Sequence, residues 1–509
     1  MVNVAIIDDG ISSGVYDINN IVRSIEITPD IIVKDSNKYK LHNRSHGTIC
    51  AAIVKKYYSD AIFTSVKILN DKNHKANKEQ LVKAIQWCMD NGIQVANISL
   101  GTIDYRDFEL IMDIINKAYS RGLIIIAAYS NKDVFTYPAS CSNVIGVKCS
   151  CNDKLLEGEF VFNLYPLDGI EVTACSEHIL LENGIESMCT PICNSYAAPM
   201  ITAEVCKIIE KQSNITLEKI KQDLYKISIN YLGNTIRVNN YKNIDWISNA
   251  AVFNMTKYRS FKLPYRNQTK IFKEIKEIKE IKDIYSNLFD TLVIFNNSLK
   301  DFRKVKSIIS KLESKKKNII VINDEYQDEN YEVEHPSDDV KFWQESMVKH
   351  FFNESLPKKK REVPLIVVYD YTKGNLVKIV GTLTSKFRSD GYYAIGASTK
   401  SIGALYGLEY ISINRDENIK KVKDKIEALY KVYEYDILIL GISTDKEDIN
   451  KINMYLDTDK TIICVDEFTH KIERCLEKTS VNDYLIISSQ KDINLLYDEV
   501  LNMFLCEND

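Results

Sequence analysis

No apolar run in this chain of 509 residues approaches the ~18–20 consecutive positions needed to cross a bilayer, so no membrane span is expected. A strong charge of one sign is missing too. With 66 Lys and Arg against 70 Asp and Glu, the formal net charge is −4, which gives no electrostatic case for a nucleic-acid partner. Metal-ligand spacing is also absent: Cys149-Ser150-Cys151 is too tight for a zinc pair, and no second pair follows, so neither metal nor cofactor is expected. The 12 cysteines form no small-scaffold disulfide framework and read as reduced, mostly buried thiols of a cytoplasmic protein. Cys141 with Cys149 or Cys151 stays open as a pairing under oxidation. The chain opens directly on a core strand, so the reading expects neither signal peptide nor pro-segment. What is left is an ordinary globular composition, 45% hydrophobic and 27% charged, with room for two or three domains.

Against that background four segments carry chemistry. Val4-Ala5-Ile6-Ile7-Asp8 is a short apolar strand ending in a carboxylate, which places Asp8 at the carboxyl edge of a parallel sheet. His46 precedes Gly47-Thr48 and the apolar run Ile49–Val54, the position of a helix start. Leu123–Ala128 is a second buried strand with Asn131 just past its end, and Ser195 is followed by small residues, Pro199 and a helical stretch. Singly, each has a plain structural reading as a cap, a helix start or a packing histidine. Together they are what acyl transfer needs. A serine hydroxyl requires a base, the imidazole requires a carboxylate to fix its tautomer, and the oxyanion requires donors. The assignment is Ser195 as nucleophile, His46 as general base and acid, Asp8 as its orienter, and Asn131 with the Ser195 N–H as oxyanion hole.

In their order and separations, Asp8-Asp9-Gly10, Ser45-His46-Gly47-Thr48, Asn131 and Asn194-Ser195-Tyr196-Ala197-Ala198-Pro199 resemble the subtilisin-like serine peptidases over roughly the first 230 residues. The resemblance implies that Ser99, Leu100 and Gly101 pair with an extended peptide substrate. It also implies that Tyr137-Pro138 walls the primary specificity pocket, and that Asn73–Ala76 lies opposite, made basic by His74, Lys75 and Lys78. Three departures stand out. Asp9 adds a second carboxylate, expected to raise the pKa of His46 if it points inward. Asn194 replaces the usual threonine and is expected as an extra oxyanion donor, and Ser130 precedes Asn131 where glycine is usual.

The fold class expected is α/β: a doubly wound, subtilisin-like parallel sheet over 1–230, a connecting segment over 231–285, and a second α/β region over 286–509, with subdomains 286–357 and 362–509. Within the connection, Ile271–Tyr285 reads as one solvated helix or an edge element laced with Glu–Lys pairs. Lys358-Lys359-Lys360-Arg361 reads as a solvated linker. Pro364–Tyr369, the loop to Gly374 and the helix through Lys386 have a strand–loop–helix, P-loop-like layout. The phosphate cradle is degenerate: only Gly374 and Lys378 are near their places, and Ile379 stands where a hydroxyl is needed. Pro364–Leu383 is also similar to accessory proteins of the systems that mature ribosomally made peptides.

The resulting expectation is an intracellular serine endopeptidase cutting a specific peptide, plausibly the leader of a ribosomally synthesised modified peptide. Its partner is a peptide substrate, and the sequence fixes no oligomeric state. A regulatory or housekeeping peptidase, or a non-cleaving scaffold, stays open as an alternative.

Overall fold

The computed structural model describes residues 1–36, 44–70, 72–150, 155–182, 184–212, 214–233, 237–255, 274–278, 289–295, 302–313, 316–323, 339–352, 356–371, 376–412, 419–443, 449–465, 484–488 and 493–505. The chain divides into two compact units. One is Met1–Tyr241 with a short segment ending at Lys341; the other holds Lys242–Pro336 and Phe342–Asp509.

In the first unit the strands are β1 (Val2–Asp8), β2 (Ile21–Ile27), β3 (Val33–Asp35), β4 (Ala61–Lys67), β5 (Val95–Ile98), β6 (Ile124–Ala128), β7 (Ile145–Cys149), β8 (Phe160–Phe162) and β9 (Val172–Ala174). They form one nine-stranded sheet in the order β3-β2-β4-β1-β5-β6-β7-β9-β8. Its centre is parallel, with β1 flanked by β4 and β5 in a register that sets Asp8 beside Lys67. Strands covered on both faces must be apolar almost throughout, as β1 and β6 are. The expected all-parallel sheet needs one correction. The edge strands β3 and β8 run antiparallel to β2 and β9, which short connections allow and parallel crossovers do not.

Around this sheet lie α1 (His46–Tyr57), α2 (Lys78–Asp90), α3 (Phe108–Ser120), α4 (Asn194–Lys211) and α5 (Leu217–Ile227). Helices α1 and α4 are buried along most of their length, including Ile49–Val54 and Ala197–Ala203, because they supply the core against β1, β6 and β7. A hairpin of β10 (Ile179–Glu182) and β11 (Ile185–Cys189) precedes α4.

The unit also buries a four-charge cluster. Lys341 pairs with Glu218 and Lys221 with Glu171 at 2.6 Å, while Tyr119 donates to Glu218 at 3.0 Å and Lys341 to the Tyr241 hydroxyl at 3.3 Å.

The second unit carries two wholly parallel sheets. The first contains β12 (Asn249–Asn254), β13 (Glu274–Ile278), β14 (Thr291–Phe295), β15 (Asn318–Ile322) and β16 (Phe342–Gln344) in the order β13-β12-β14-β15-β16. Strand β12 falls inside the segment expected to be a connection, and β13 is the edge element that 271–285 allowed. In the other, six-stranded sheet, β17 (Leu365–Asp370) leads to the helix α6 (Leu376–Ser389). Asp370 caps that helix, its Oδ2 accepting from the Leu376 N–H at 3.0 Å. A carboxylate therefore holds a donor that a P-loop offers to phosphate. Lys378 is exposed and Ile379 is buried, while Gly374 lies outside the described residues.

Candidate active site

Asp8 ends β1 fully buried, and its Oδ2 lies 2.8 Å from His46 Nδ1. Its other oxygen accepts from the Asp9 N–H at 2.8 Å, so both are engaged. His46 opens α1, whose N-cap Ser45 accepts from the Thr48 N–H at 3.3 Å. Asp9 does not turn toward the imidazole. It completes the cap, its two oxygens accepting from the His46 N–H at 3.1 Å and the Gly47 N–H at 2.8 Å. A carboxylate here satisfies orphan donors and suits the helix dipole. Burial and the neighbouring Asp8 push the Asp9 carboxyl above its ordinary value, against these two bonds. Gly47 is needed at this junction, since a Cβ would lie 2.7 Å from the Gly10 carbonyl oxygen.

Burial alone would push the His46 imidazole down, but Cys50 and the Asp8 bond outweigh it and hold it above its ordinary value. Of these two, Asp8 carries the upward shift. The wholly buried Cys50 thiol is itself pushed up, chiefly by burial, so at neutral pH it is uncharged. Cys50 Sγ sits under the pair, 4.0 Å from His46 Nδ1 and 3.6 Å from Ser99 Oγ. Among the described residues, Asp8, His46 and Cys50 alone gather metal-ligating atoms, within 4.8 Å. His46 Nδ1 is already held by Asp8, so this cluster reads as an oriented imidazole.

Ser195 lies in the first turn of α4. Pro199, four residues on, has no N–H, so the Ser195 carbonyl lacks its helical partner. It accepts instead from Ser99 Oγ at 3.2 Å and from Cys50 Sγ at 3.7 Å. Ser195 Oγ in turn donates to the Ser99 carbonyl at 3.4 Å. Ser99 is fixed from behind: Asn97 Nδ2 donates to its Oγ at 3.1 Å, and Thr202 Oγ1 donates to Asn97 Oδ1 at 2.9 Å. The Tyr196 ring lies 5.2 Å from the His46 ring, tilted by 34°.

Asn131 is exposed beside this turn. Its Oδ1 accepts from the Asn194 N–H at 3.3 Å, and its Nδ2 makes only a long contact of 3.7 Å to Cys193 Sγ. That leaves a lightly held amide donor at the mouth of the site. Asn194 does not act as the extra donor expected of it. Buried, it accepts from the Cys149 N–H at 2.6 Å and donates to the Ser130 carbonyl at 3.1 Å, fastening β7 and the Asn131 loop to α4.

Ser99, Leu100 and Gly101 run on from β5. Immediately after them, Thr102 and Tyr137 exchange two backbone hydrogen bonds of 2.9 Å. A Cβ on Gly101 would lie 2.6 Å from the Tyr137 carbonyl oxygen, so only glycine admits this approach. Tyr137 and Pro138 are both buried, with the Tyr137 ring packed between Phe108 and Phe135 at 5.2 and 5.3 Å. Of the basic residues around 73–76, Lys78 is neutralised by Asp107 at 2.9 Å, while His74 and Lys75 are exposed. The sequence reading passed over Cys50, the Ser99 hydroxyl and His178. Only Cys50 left a trace, four residues beyond His46 on the same helix face.

A buried strand-end carboxylate, a capped helix presenting histidine and a serine on a proline-freed turn make the arrangement that the subtilisin-type resemblance implied. Residues 1–240 match the Subtilase family and carry homology to its serine endopeptidases. Over 166 residues the chain is 31% identical to Minor extracellular protease Epr of Bacillus subtilis (strain 168), covering 30% of this chain and 24% of that protein. Over 156 residues it is 26% identical to Subtilisin DY of Bacillus licheniformis, covering 29% of this chain and 55% of that one. The chain thus spans about a quarter to about half of the length of these relatives. Among solved structures, that of a lanthipeptide protease aligns with a TM-score of 0.36 at 17% identity, covering 46% of this chain and 81% of the other.

Proposed function

We propose that this chain is a serine endopeptidase in which Ser195, His46 and Asp8 act as a triad. The observation that carries the proposal is the 2.8 Å contact between buried Asp8 and His46 Nδ1. It assigns the ring proton to Nδ1 and leaves Nε2 free to take the proton of Ser195 as its Oγ attacks a peptide carbonyl. The oxyanion then faces the Ser195 N–H and the Asn131 amide. Protonated His46, stabilised by Asp8, returns its proton to the leaving amine, and water repeats the cycle on the acyl-enzyme. Catalytic hydrogen bonds of this kind tighten as substrate is seated. The substrate lies extended along Ser99, Leu100 and Gly101, adding a strand, with Tyr137 and Pro138 backing the pocket beside it.

The finer part of the proposal is the substrate: a specific peptide, the leader of a ribosomally synthesised modified peptide, cut in the cytoplasm. It is supported by the resemblance of Pro364–Leu383 to accessory proteins of such maturation systems. The Asp370 cap of α6 supports a docking role for that degenerate P-loop-like region over nucleotide-driven work. Buried free thiols such as Cys50, Cys88 and Cys206 accord with a reducing compartment.

The test is mass spectrometry of candidate precursor peptides incubated with the full chain, alongside fluorophosphonate labelling. Single cuts at a leader boundary, with a loss on the order of 10⁶-fold in Ser195→Ala, support the reading. Cleavage of many unrelated proteins would favour a housekeeping peptidase. A wild-type chain that neither labels nor cuts would return the site to a non-cleaving scaffold.

A further inference from the structure

We propose that His178 is a positioning residue for the nucleophile turn: its imidazole, at the start of the hairpin that precedes α4, holds the carbonyl of the residue after Ser195. This rests on the peptidase reading above. His178 is fully buried, and neither ring nitrogen faces solvent chemistry. Nε2 lies 3.0 Å from the Tyr196 carbonyl oxygen, an acceptor only, so Nε2 carries the proton. Nδ1 lies 2.8 Å from the Tyr57 hydroxyl, which therefore donates. One neutral tautomer satisfies both contacts, and it links the last residue of α1 to the first turn of α4.

The backbone that carries the ring is fixed as well. The His178 N–H donates to Thr190 Oγ1 at 2.8 Å, and its carbonyl accepts from the Thr190 N–H at 3.0 Å. Thr190 Oγ1 donates to the Ser176 carbonyl at 2.6 Å, and the Cys193 N–H donates to Ser176 Oγ at 3.3 Å. The same frame thus fixes the hairpin base and the residue that caps α4. Burial, with Lys56 adding to it, outweighs the Tyr196 bond and Glu157 and depresses the imidazole to about 4, so it works as a fixed neutral donor.

The consequence is geometric. The Ser195 carbonyl is held by Ser99 and Cys50 on one side of the turn, and the Tyr196 carbonyl by His178 on the other. Between those anchors sits the Tyr196 ring against His46, one residue past the Ser195 N–H assigned to the oxyanion. Without His178, the Tyr196 carbonyl loses this bond, and the first turn of α4 is left to the contacts of Asn194 and of the Ser195 carbonyl, which hold the residues before Tyr196. A displacement of about 1 Å at reacting atoms can lower turnover on the order of 10²-fold.

The experiment compares His178→Phe and His178→Gln in the full chain. Phenylalanine keeps the ring shape and loses both bonds; glutamine places an amide donor near the position of Nε2. The expected result is a fall in kcat of on the order of 10- to 100-fold for His178→Phe with KM nearly unchanged, and recovery to within several-fold of wild type in His178→Gln. Wild-type kcat in His178→Phe, or a His178→Gln variant as impaired as His178→Phe, overturns the proposal. Should His178→Phe fail to fold, nitrogen-15 spectra of the wild-type imidazoles decide. His178 is expected as neutral Nε2–H at pH 6, and an Nδ1–H tautomer or an imidazolium there overturns the assignment. A wild-type chain that neither cleaves nor labels removes the peptidase reading and this one with it, whereas an active wild type with an unaffected His178→Phe removes this one alone.

Discussion

Replacing Lys341 by methionine strips the partner from a carboxylate that has nowhere to go. Glu218 and Lys341 are both fully buried, and Glu218 Oε2 has no hydrogen-bond partner among the described residues. In Lys341→Met, Glu218 keeps the Tyr119 hydroxyl, 3.0 Å from Oε1, and loses its ammonium. Breaking one side of a buried ion pair costs about 3–5 kcal/mol, because an uncompensated charge is left in the interior. The pH dependence should also invert. In the wild type, burial would raise the Glu218 carboxyl, but Lys341 overrides it and holds the group below its ordinary value. That contribution is present above the unfolded value and is lost as pH falls through the folded one. In the variant burial is opposed only by the Tyr119 and backbone hydrogen bonds, the carboxyl moves up, and the deficit is greatest at high pH and shrinks as pH falls from 8 toward 5. Urea unfolding at both pH values, with hydrogen exchange of α5 as a local readout, measures this. A difference under about 1 kcal/mol at pH 8, or one that does not change with pH, refutes the reasoning. The double variant Glu218→Leu/Lys341→Met should recover most of the loss.

Asn131→Ala should lower kcat by about 10²–10³ with little change in KM, read from steady-state cleavage of a chromogenic peptide. Gly101→Ala forces a Cβ to within 2.6 Å of the Tyr137 carbonyl and should part the Thr102–Tyr137 bridge. A loss of about 1–3 kcal/mol in thermal unfolding and a raised KM for extended peptides are expected. His178, depressed to about 4 from an ordinary 6.5, takes its proton more readily in the unfolded chain. Stability present above pH 6.5 is therefore lost between 6.5 and about 4, by about 3 kcal/mol in all, and His178→Gln should lack this component in urea titrations.

The two strand ends were legible because Asp8 and Asn131, the candidate residues, follow continuous apolar runs. Val4–Ile7 points at Asp8, and Leu123–Ala128 leads to Asn131. What escaped the sequence is what depends on partners far along the chain. Asp9 looked like a second charge for the imidazole, but the nearer claim on it was the unsatisfied start of α1. Asn194 looked like a donor to substrate, but two backbone groups from other elements had already taken its amide. Nothing local in Val340-Lys341-Phe342 announces a salt bridge to a helix 123 residues earlier. Strand β12 was hidden because only four apolar residues, Ala250–Phe253, sit in a polar stretch rich in Asn, Tyr and Lys with no clear period. His178 is a lone histidine in sequence and gains a role only when the hairpin brings it under α4.

The segment that ends at Lys341 also sets an order of events during synthesis. Asp8, His46, Asn131 and Ser195 all leave the ribosome well before it, and Lys341 follows Tyr241 by 100 residues. At about 5–20 residues per second, those residues alone take roughly 5–20 s. Throughout that interval Glu218 has no ammonium to neutralise it. The nascent peptidase unit is therefore complete in its reacting groups yet unfinished in its interior. A unit assembled in this sequence gains the Glu218–Lys341 pair only once residues 242–336 of the following unit have been made.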